Sequence, residues 1–261
     1  MTSDASGPAG KPGEPGDPGE PGERGGHGAR LVDTRVPRDP RGVALLLHGR
    51  GSRPETMRVS PAQLSVLRLV PTAARIAHSA PGIAVHRLLN SYRGWDTRHT
   101  PVQDVAWALD VLRARYGRVP VCLVGHSLGG RAAILSLGHP DVHGVVALAP
   151  WVHATDAPAP GRDLGGASLL VVHGDDDRVA SPEKASRVVR ALSARARVGY
   201  VGVRGGRHSM VRRHGVFDGL AAAFVAATLS GAGPDRGREE PTGLAAVVAR
   251  VLAGESLFAE V

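Results

Sequence analysis

Short apolar segments alternate with helical patterns along most of the chain, and this order restricts the possible folds more than any other feature of the sequence. Parallel strands need long crossover connections, which are usually helices, so the alternation predicts an α/β fold with a mostly parallel central sheet and helices on both faces. The predicted strands are Val43–Leu47, Ile83–Leu89, Val121–Val124, Val145–Ala149, Leu169–Val172 and Val198–Val203. The predicted helices are one or two at 61–79, interrupted by Pro71, and then Val102–Tyr116, Leu128–Leu137, 182–195, Val216–Leu229 and Leu244–Leu252.

The sequence predicts one large domain between two tails. A chain of 261 residues can form one sizeable core, and we assign residues 30–231 to it. Residues 1–29 form a collagen-like Gly-X-Y tail, in which every third residue from Gly7 to Gly28 is glycine. This repeat is short and nearly without apolar residues, which favours a disordered tail over a weak trimerising segment that deletion of residues 1–28 would abolish. Residues 232–261 are interpreted as a linker and a C-terminal helix, for which the sequence indicates no docking site.

The composition of the chain limits where the protein is expected to be located and which partners it is expected to bind. The single cysteine, Cys122, lies in an apolar strand and cannot form an intrachain disulfide. The first residues lack the order of a secretion signal, and no apolar run approaches the roughly 20 residues of a membrane span. We therefore expect a soluble, cytoplasmic protein that does not bind membranes. The net charge is +8, but the arginines are scattered rather than clustered, so we expect no nucleic-acid partner; the oligomeric state stays open.

A serine flanked by glycines follows directly on one of the predicted strands. Gly125, Ser127 and Gly129 form the pattern G-x-S-x-G, in which a strand turns sharply into a helix and exposes the serine hydroxyl. The glycines fit because the backbone segments approach closely at such a turn. Ser127 is therefore the predicted nucleophile, and the amide of Leu128 at the helix start is a predicted oxyanion donor.

Four motifs, of which this turn is one, resemble those of the α/β-hydrolase superfamily, in a form without a large lid. The resemblance covers residues 31–230. The motifs are the His-Gly loop at 45–51, the serine turn at 125–129, the strand and acidic loop at 169–179, and the strand, glycine loop and histidine at 201–210. The resemblance implies that the loop after the first predicted strand contributes a second oxyanion amide. That amide belongs to Arg50, with Gly51 as the alternative.

The resemblance also implies an acid and a base. It places the acid at Asp177, three residues after a glycine, and Asp175 and Asp176 stay as alternatives. His208 is the candidate general base, because imidazole exchanges protons near neutral pH and the order Ser127, Asp177, His208 is the order that this fold produces; His214 is the weaker choice.

Three aromatic residues, Tyr92, Trp95 and Trp151, lie in loops at the carboxyl ends of strands, where open α/β sheets bind ligands. We interpret them either as an apolar wall for the substrate or as packing under the loops. Arg50, Arg93 and Arg207 are candidates for attracting an anionic substrate. The segment from Pro150 to Ser168 is too short for a multi-helix lid, so we expect an open site.

No metal and no cofactor is expected. Pro140 breaks the helix that would align His139 with His143, and no third ligand is evident. Dinucleotide and phosphate-loop fingerprints are absent from the sequence. His48, His126 and His173, at strand ends, are expected to line the rim of the site or to bond backbone groups.

These features together predict a serine hydrolase that cleaves carboxylic esters through an acyl-serine intermediate. The substrate is expected to be a small-molecule ester or thioester. Thioesterase, acyltransferase and peptidase chemistry would use the same side chains, and a non-catalytic binding scaffold with this fold is the alternative outside catalysis.

Overall fold

The computed structural model describes residues 28–50, 58–159, 161, 163–229, 241–255 and 258–261. The collagen-like repeat before Gly28, residue Gly51 and nearly all of the proposed linker lie outside these residues.

The described residues form one eight-stranded sheet with helices on both faces. The strands are β1 (Arg30–Arg35), β2 (Val43–Leu47), β3 (Ala84–Leu89), β4 (Val121–His126), β5 (Val142–Leu148), β6 (Ser168–Gly174), β7 (Arg197–Val203) and β8 (Phe258–Glu260). The helices are α1 (Leu64–Leu67), α2 (Leu69–Ser79), α3 (Thr100–Tyr116), α4 (Leu128–Leu135), α5 (Pro182–Leu192), α6 (His214–Leu229) and α7 (Gly243–Leu252), with a 3₁₀ turn at Val211–Arg213.

The strand order is β1-β3-β2-β4-β5-β6-β7-β8, and only the pairing of β1 with β3 is antiparallel. This confirms the predicted fold class. All six predicted strands and every predicted helix form, with shifts of a few residues at their ends. The break in the 61–79 segment lies at Arg68 instead of Pro71, because proline is tolerated in the first turn of a helix, where Pro71 of α2 lies. The two edge strands, β1 and β8, were not predicted.

Two apolar layers enclose the sheet. Leu45 and Leu47 of β2 pack in the layer that contains α3, α4 and α5, whereas Ala44 and Leu46 pack in the layer that contains α2 and α6. β2 is buried along its whole length, because a strand in the middle of a covered parallel sheet has apolar residues on both faces.

The C-terminal helix packs on the sheet beside α6. Val248 and Val251 of α7 are buried in the same layer as α6, and β8 extends the sheet by pairing with β7. Gly199 on β7 makes room for α7, since a Cβ there would lie 2.5 Å from Val251 Cγ1. Within the described residues, no helix combines the length and the apolar character that a membrane span requires.

Candidate active site

The predicted site residues meet at the carboxyl edge of the sheet. The strand order reverses around β2, which has β3 on one side and β4 on the other, and such reversal points open a crevice in α/β sheets. His48 and Arg50 follow β2, Ser127 follows β4, and the loops after β6 and β7 contribute Asp177 and His208.

The backbone at Ser127 has the strained geometry expected of a nucleophile turn. Its φ of 55° and ψ of −117° lie where few residues with side chains are found. A Cβ on Gly125 would lie 2.2 Å from the Gly129 carbonyl oxygen, and one on Gly129 would lie 2.1 Å from the Leu47 oxygen. Only glycine allows the end of β4, the start of α4 and the end of β2 to approach this closely.

Ser127, His208 and Asp177 form one hydrogen-bonded line. The Ser127 hydroxyl lies 3.0 Å from His208 Nε2, and His208 Nδ1 lies 2.9 Å from Asp177 Oδ2. The Asp177 side chain is fully buried, whereas the His208 side chain is 18% exposed. A carboxylate on Nδ1 holds the proton on that nitrogen and leaves Nε2 free to accept from the serine.

The alternative acid and base residues lie elsewhere. Asp175 is exposed and accepts from the Gly205 amide at 2.7 Å, and Asp176 is exposed on the wall of a neighbouring cavity. The His214 side chain is 68% exposed and lies 3.9 Å from Asp218. The structure therefore brings the preferred three residues together and leaves these three outside the line.

The two predicted oxyanion donors follow two neighbouring strands, β2 and β4. Leu128 is the first residue of α4, and the first amides of a helix have no acceptor within the helix. Arg50 lies in the loop that follows β2. Both residues line the same cavity as Ser127.

This cavity, which we call the serine cavity, has a volume of about 670 Å³. Its described lining comprises Gly49, Arg50, Ser65, Trp95, His126, Ser127, Leu128, Arg131, Trp151, His153, Val179 and His208. Two of the three predicted aromatic residues, Trp95 and Trp151, thus form part of its wall. Tyr92 is 43% exposed and is not among the described residues that line this cavity.

Several solved structures have a fold similar to that of this chain. A putative α/β hydrolase of unknown function from Agrobacterium tumefaciens matches with a TM-score of 0.63 and 17% identity, over 80% of this chain and 96% of that chain. A serine hydrolase without a lid from Xanthomonas campestris matches with a TM-score of 0.62 and 19% identity, over 82% and 95%. A Butyrivibrio proteoclasticus protein solved with ferulic acid bound matches with a TM-score of 0.57 and 15% identity, over 78% and 97%.

This chain has the α/β-hydrolase fold. No protein-family model and no curated protein sequence matches it at a significant level, so the similarity is one of structure. Between β5 and β6, where members of this fold commonly carry a lid, the described residues contain turns and no helix. This agrees with the prediction of a site without a large lid.

Within this α/β-hydrolase fold, a second histidine contacts Asp177, and that contact was not predicted from the sequence. His173 is fully buried, and its Nε2 donates to Asp177 Oδ2 at 3.1 Å. Oδ1 accepts from the amides of Val179 at 2.8 Å and Ala180 at 2.9 Å. Burial raises the pKa of the Asp177 carboxyl, but the hydrogen bonds outweigh burial, and the pKa lies well below its usual range. The carboxylate is therefore ionised at neutral pH.

Two more histidines border the serine and are neutral. Burial, assisted by the nearby His208, lowers the pKa of His126 to about 3, and burial lowers the pKa of His48 to about 4. His126 Nε2 donates to the His208 carbonyl oxygen at 2.9 Å, which holds the backbone of the base. His48 Nδ1 donates to the Gly49 oxygen at 2.7 Å, and its Nε2 accepts from the Asn90 amide at 3.2 Å. Both rings hold backbone groups, as the sequence analysis expected.

The sequence also did not indicate a buried ion pair beside the aromatic wall, which is the part of the serine cavity formed by Trp95 and Trp151. Arg131, on α4, donates from Nη2 to Asp156 Oδ1 at 2.9 Å, and its Nε lies 2.8 Å from Oδ2. Its guanidinium carbon lies 4.2 Å from the ring centroid of Trp95 and 5.7 Å from that of Trp151. Asp156 is distant in sequence from Arg131, and no local pattern marks the pair. Across the described part of the chain, no three metal-ligand side chains converge.

Proposed function

We propose that this protein is a serine hydrolase that cleaves carboxylic esters through an acyl-serine intermediate. The observation that carries the proposal is the continuous line of hydrogen bonds from Ser127 through His208 to the buried Asp177. A nucleophile, a base with an available nitrogen and a carboxylate that orients the base are the parts that this chemistry requires.

In the first half of the reaction, Ser127 Oγ attacks the carbonyl carbon of the ester while His208 Nε2 takes the hydroxyl proton. The imidazolium that forms is stabilised by ionised Asp177. The carbon–oxygen bond to the leaving group then breaks, and His208 returns the proton to the departing alkoxide. The products of this half are an alcohol and an acyl group on Ser127.

In the second half, water takes the place of the serine hydroxyl. His208 removes a proton from the water as it attacks the acyl carbon, and then gives that proton to Ser127 Oγ. The carboxylic acid leaves, and the enzyme returns to its starting state. In both halves the amides of Leu128 and Arg50 stabilise the negative charge on the carbonyl oxygen, and one such donor contributes about 3 kcal/mol.

Esters are the proposed substrates because two structural neighbours are described as esterases. One structural neighbour, with a TM-score of 0.59 and 13% identity, is described as an arylesterase. Another is an esterase domain from a Rhodothermus marinus protein, at a TM-score of 0.53 and 20% identity. The serine cavity offers two tryptophan rings for an apolar acyl group.

A fluorophosphonate probe tests the proposal, because it labels only a serine that is activated by a base. We expect wild type to be labelled and Ser127→Ala not to be labelled. Ser65→Ala is the matched control, since Ser65 lines the same cavity but bonds Gln63 instead of a histidine. No labelling of wild type would favour a binding scaffold, and labelling that survives in Ser127→Ala would overturn the assignment. Ester, thioester and amide analogues with one acyl group would then rank the substrate classes.

A further inference from the structure

A second cavity, of about 810 Å³, also has His208 in its wall. We call it the histidine cavity; its described lining is Leu64, Ser65, Leu67, Arg68, His126, Asp176, Arg178, Val179, Arg207, His208, Ser209 and Val211. Four of these are large apolar side chains that remain well exposed: Leu64 at 81%, Val179 at 64%, Val211 at 61% and Leu67 at 45%. Exposed apolar residues gathered around one concavity are typical of a ligand-binding surface.

The residues that line this cavity indicate which part of an ester it would bind. It shares Ser65, His126, Val179 and His208 with the serine cavity, but among the described residues Ser127, Leu128 and Arg50 line only the serine cavity. The ester carbonyl must lie beside Ser127 and the two oxyanion amides. The leaving group must lie against the imidazole, because His208 protonates it as it departs. The histidine cavity therefore lies on the leaving-group side.

The charges around the histidine cavity are mainly positive. Arg178 and Arg207 are exposed at its wall, where Asp176 is the one carboxylate among the described lining residues. Arg68 also lines it, although its guanidinium is occupied by the Ser209 carbonyl oxygen at 2.8 Å. An apolar surface with exposed arginines is complementary to a ligand that is apolar in its body and anionic at one end.

We propose that the histidine cavity binds the leaving group of the substrate, and that this leaving group is an apolar alcohol with an anionic substituent. The inference rests on the proposed function and deepens it, since it names the substrate class. The apolar body contacts Leu64, Leu67, Val179 and Val211, and the anion lies near Arg178 and Arg207.

Two acetate esters that differ in one remote charge test this inference. They are 3-(4-acetoxyphenyl)propanoate and the corresponding propanamide, in which two methylenes separate the charge from the phenol and keep the leaving-group reactivity similar. We expect wild type to prefer the anionic ester by roughly fivefold in kcat/KM, the effect of one or two solvent-screened charge pairs. The preference should shrink as ionic strength rises.

Variants separate the contribution of the arginine charges from that of the apolar surface. Arg178→Gln combined with Arg207→Gln should remove the preference for the anion while leaving thermal stability unchanged, because both side chains are exposed. Arg187→Gln is the control, an exposed arginine of α5 that is not among the described residues lining either cavity. Leu64→Asn should lower kcat/KM for both aryl esters but not for ethyl acetate.

The outcomes distinguish this inference from the proposed function. Three results would overturn the leaving-group assignment and leave the serine hydrolase in place. They are equal rates for the two esters, a preference that survives the double substitution, and turnover of neither ester by unlabelled wild type when the probe labels Ser127 in a separate sample. If the probe does not label Ser127, the proposed function fails and the inference fails with it.

Discussion

At the scale of single residues, the carboxylate of Asp177 determines how the His208 imidazole is held. Its two oxygens accept from His208, His173 and two backbone amides, so the carboxylate cannot rotate without losing several hydrogen bonds at once. The fixed carboxylate keeps the Nδ1 proton of His208 in place and directs Nε2 toward Ser127. The neighbouring Asp175 and Asp176 are exposed, and Asp175 accepts from the Gly205 amide instead of from a histidine.

Three single substitutions therefore give different expected results. Asp177→Asn should lower kcat/KM for an aryl acetate on the order of 10⁴-fold, because the amide favours the wrong histidine tautomer. Asp175→Asn and Asp176→Asn should retain activity close to wild type. Steady-state kinetics on the three variants, with circular dichroism as a check on folding, measures this. A loss in Asp176→Asn equal to that in Asp177→Asn would contradict the assignment.

At the scale of secondary-structure elements, α4 carries both Leu128, the proposed oxyanion donor, and Arg131, which contacts the tryptophan rings of the serine cavity. Leu128 starts the helix, and Arg131, one turn later, pairs with Asp156 in the connection between β5 and β6. Both side chains of the pair are only 8% exposed. The Asp156 carboxylate also accepts from the His153 amide at 2.7 Å, which fixes the loop that carries Trp151.

Removing one member of this pair should be costly, because it leaves a buried charge without its partner. We expect Arg131→Met to lower the free energy of unfolding by roughly 3–5 kcal/mol and to raise KM, since the wall at Trp151 loses its support. The double variant Arg131→Met/Asp156→Leu should recover part of the stability. Urea denaturation and ester kinetics provide the measurements.

Arg113→Met is the matched control for that substitution. Arg113 makes a two-point contact with Asp141, at 2.9 and 2.6 Å, but its side chain is 36% exposed. Solvent screens this pair, so the loss of stability should be smaller and KM should not change. Equal losses in the two variants would show that burial of the Arg131 pair has no special effect.

At the scale of the whole molecule, the last described residues complete the sheet. β8 covers the edge of β7, and α7 covers one face of the sheet beside α6 with Val248 and Val251. Leu244, at the start of α7, approaches Gly219 of α6 so closely that a Cβ there would lie 2.7 Å from Leu244 Cδ1. Residues 241–255 and 258–261 thus belong to the same core as the site.

Deleting residues 241–261 should therefore destabilise the entire domain. Exposure of the surface that buries Val248 and Val251 alone should cost roughly 3 kcal/mol, and the uncovered edge of β7 should promote aggregation. Deletion of residues 1–27, which the sequence predicts to bury almost nothing, is the control and should leave the melting temperature unchanged. Thermal denaturation and size-exclusion chromatography compare the two truncations; equal melting temperatures would contradict this account.

The sequence by itself determined the order of strands and helices and the turn at Ser127. Both follow from short-range physics: apolar patterns repeat with the period of each element, and the close backbone approach at Gly125 and Gly129 leaves no room for a side chain. His208 was predicted from the resemblance, because it follows a strand and a glycine loop and comes after Ser127 and Asp177 in the order that this fold produces. Asp177 was preferred over two adjacent carboxylates only by resemblance, because nothing in three consecutive aspartates distinguishes them.

The tertiary structure decided what depends on residues far apart in the chain. It made β1 and β8 the edges of the sheet, brought His173 to Asp177, paired Arg131 with Asp156, and formed two cavities that both have His208 in their walls. Tyr92, which the sequence placed beside the other two aromatic residues, is not among the described residues lining either cavity. The reason is physical: a hydrogen bond or a cavity wall requires atoms from different elements to meet within a few ångströms, and only the packing of the complete sheet and its helices sets those distances.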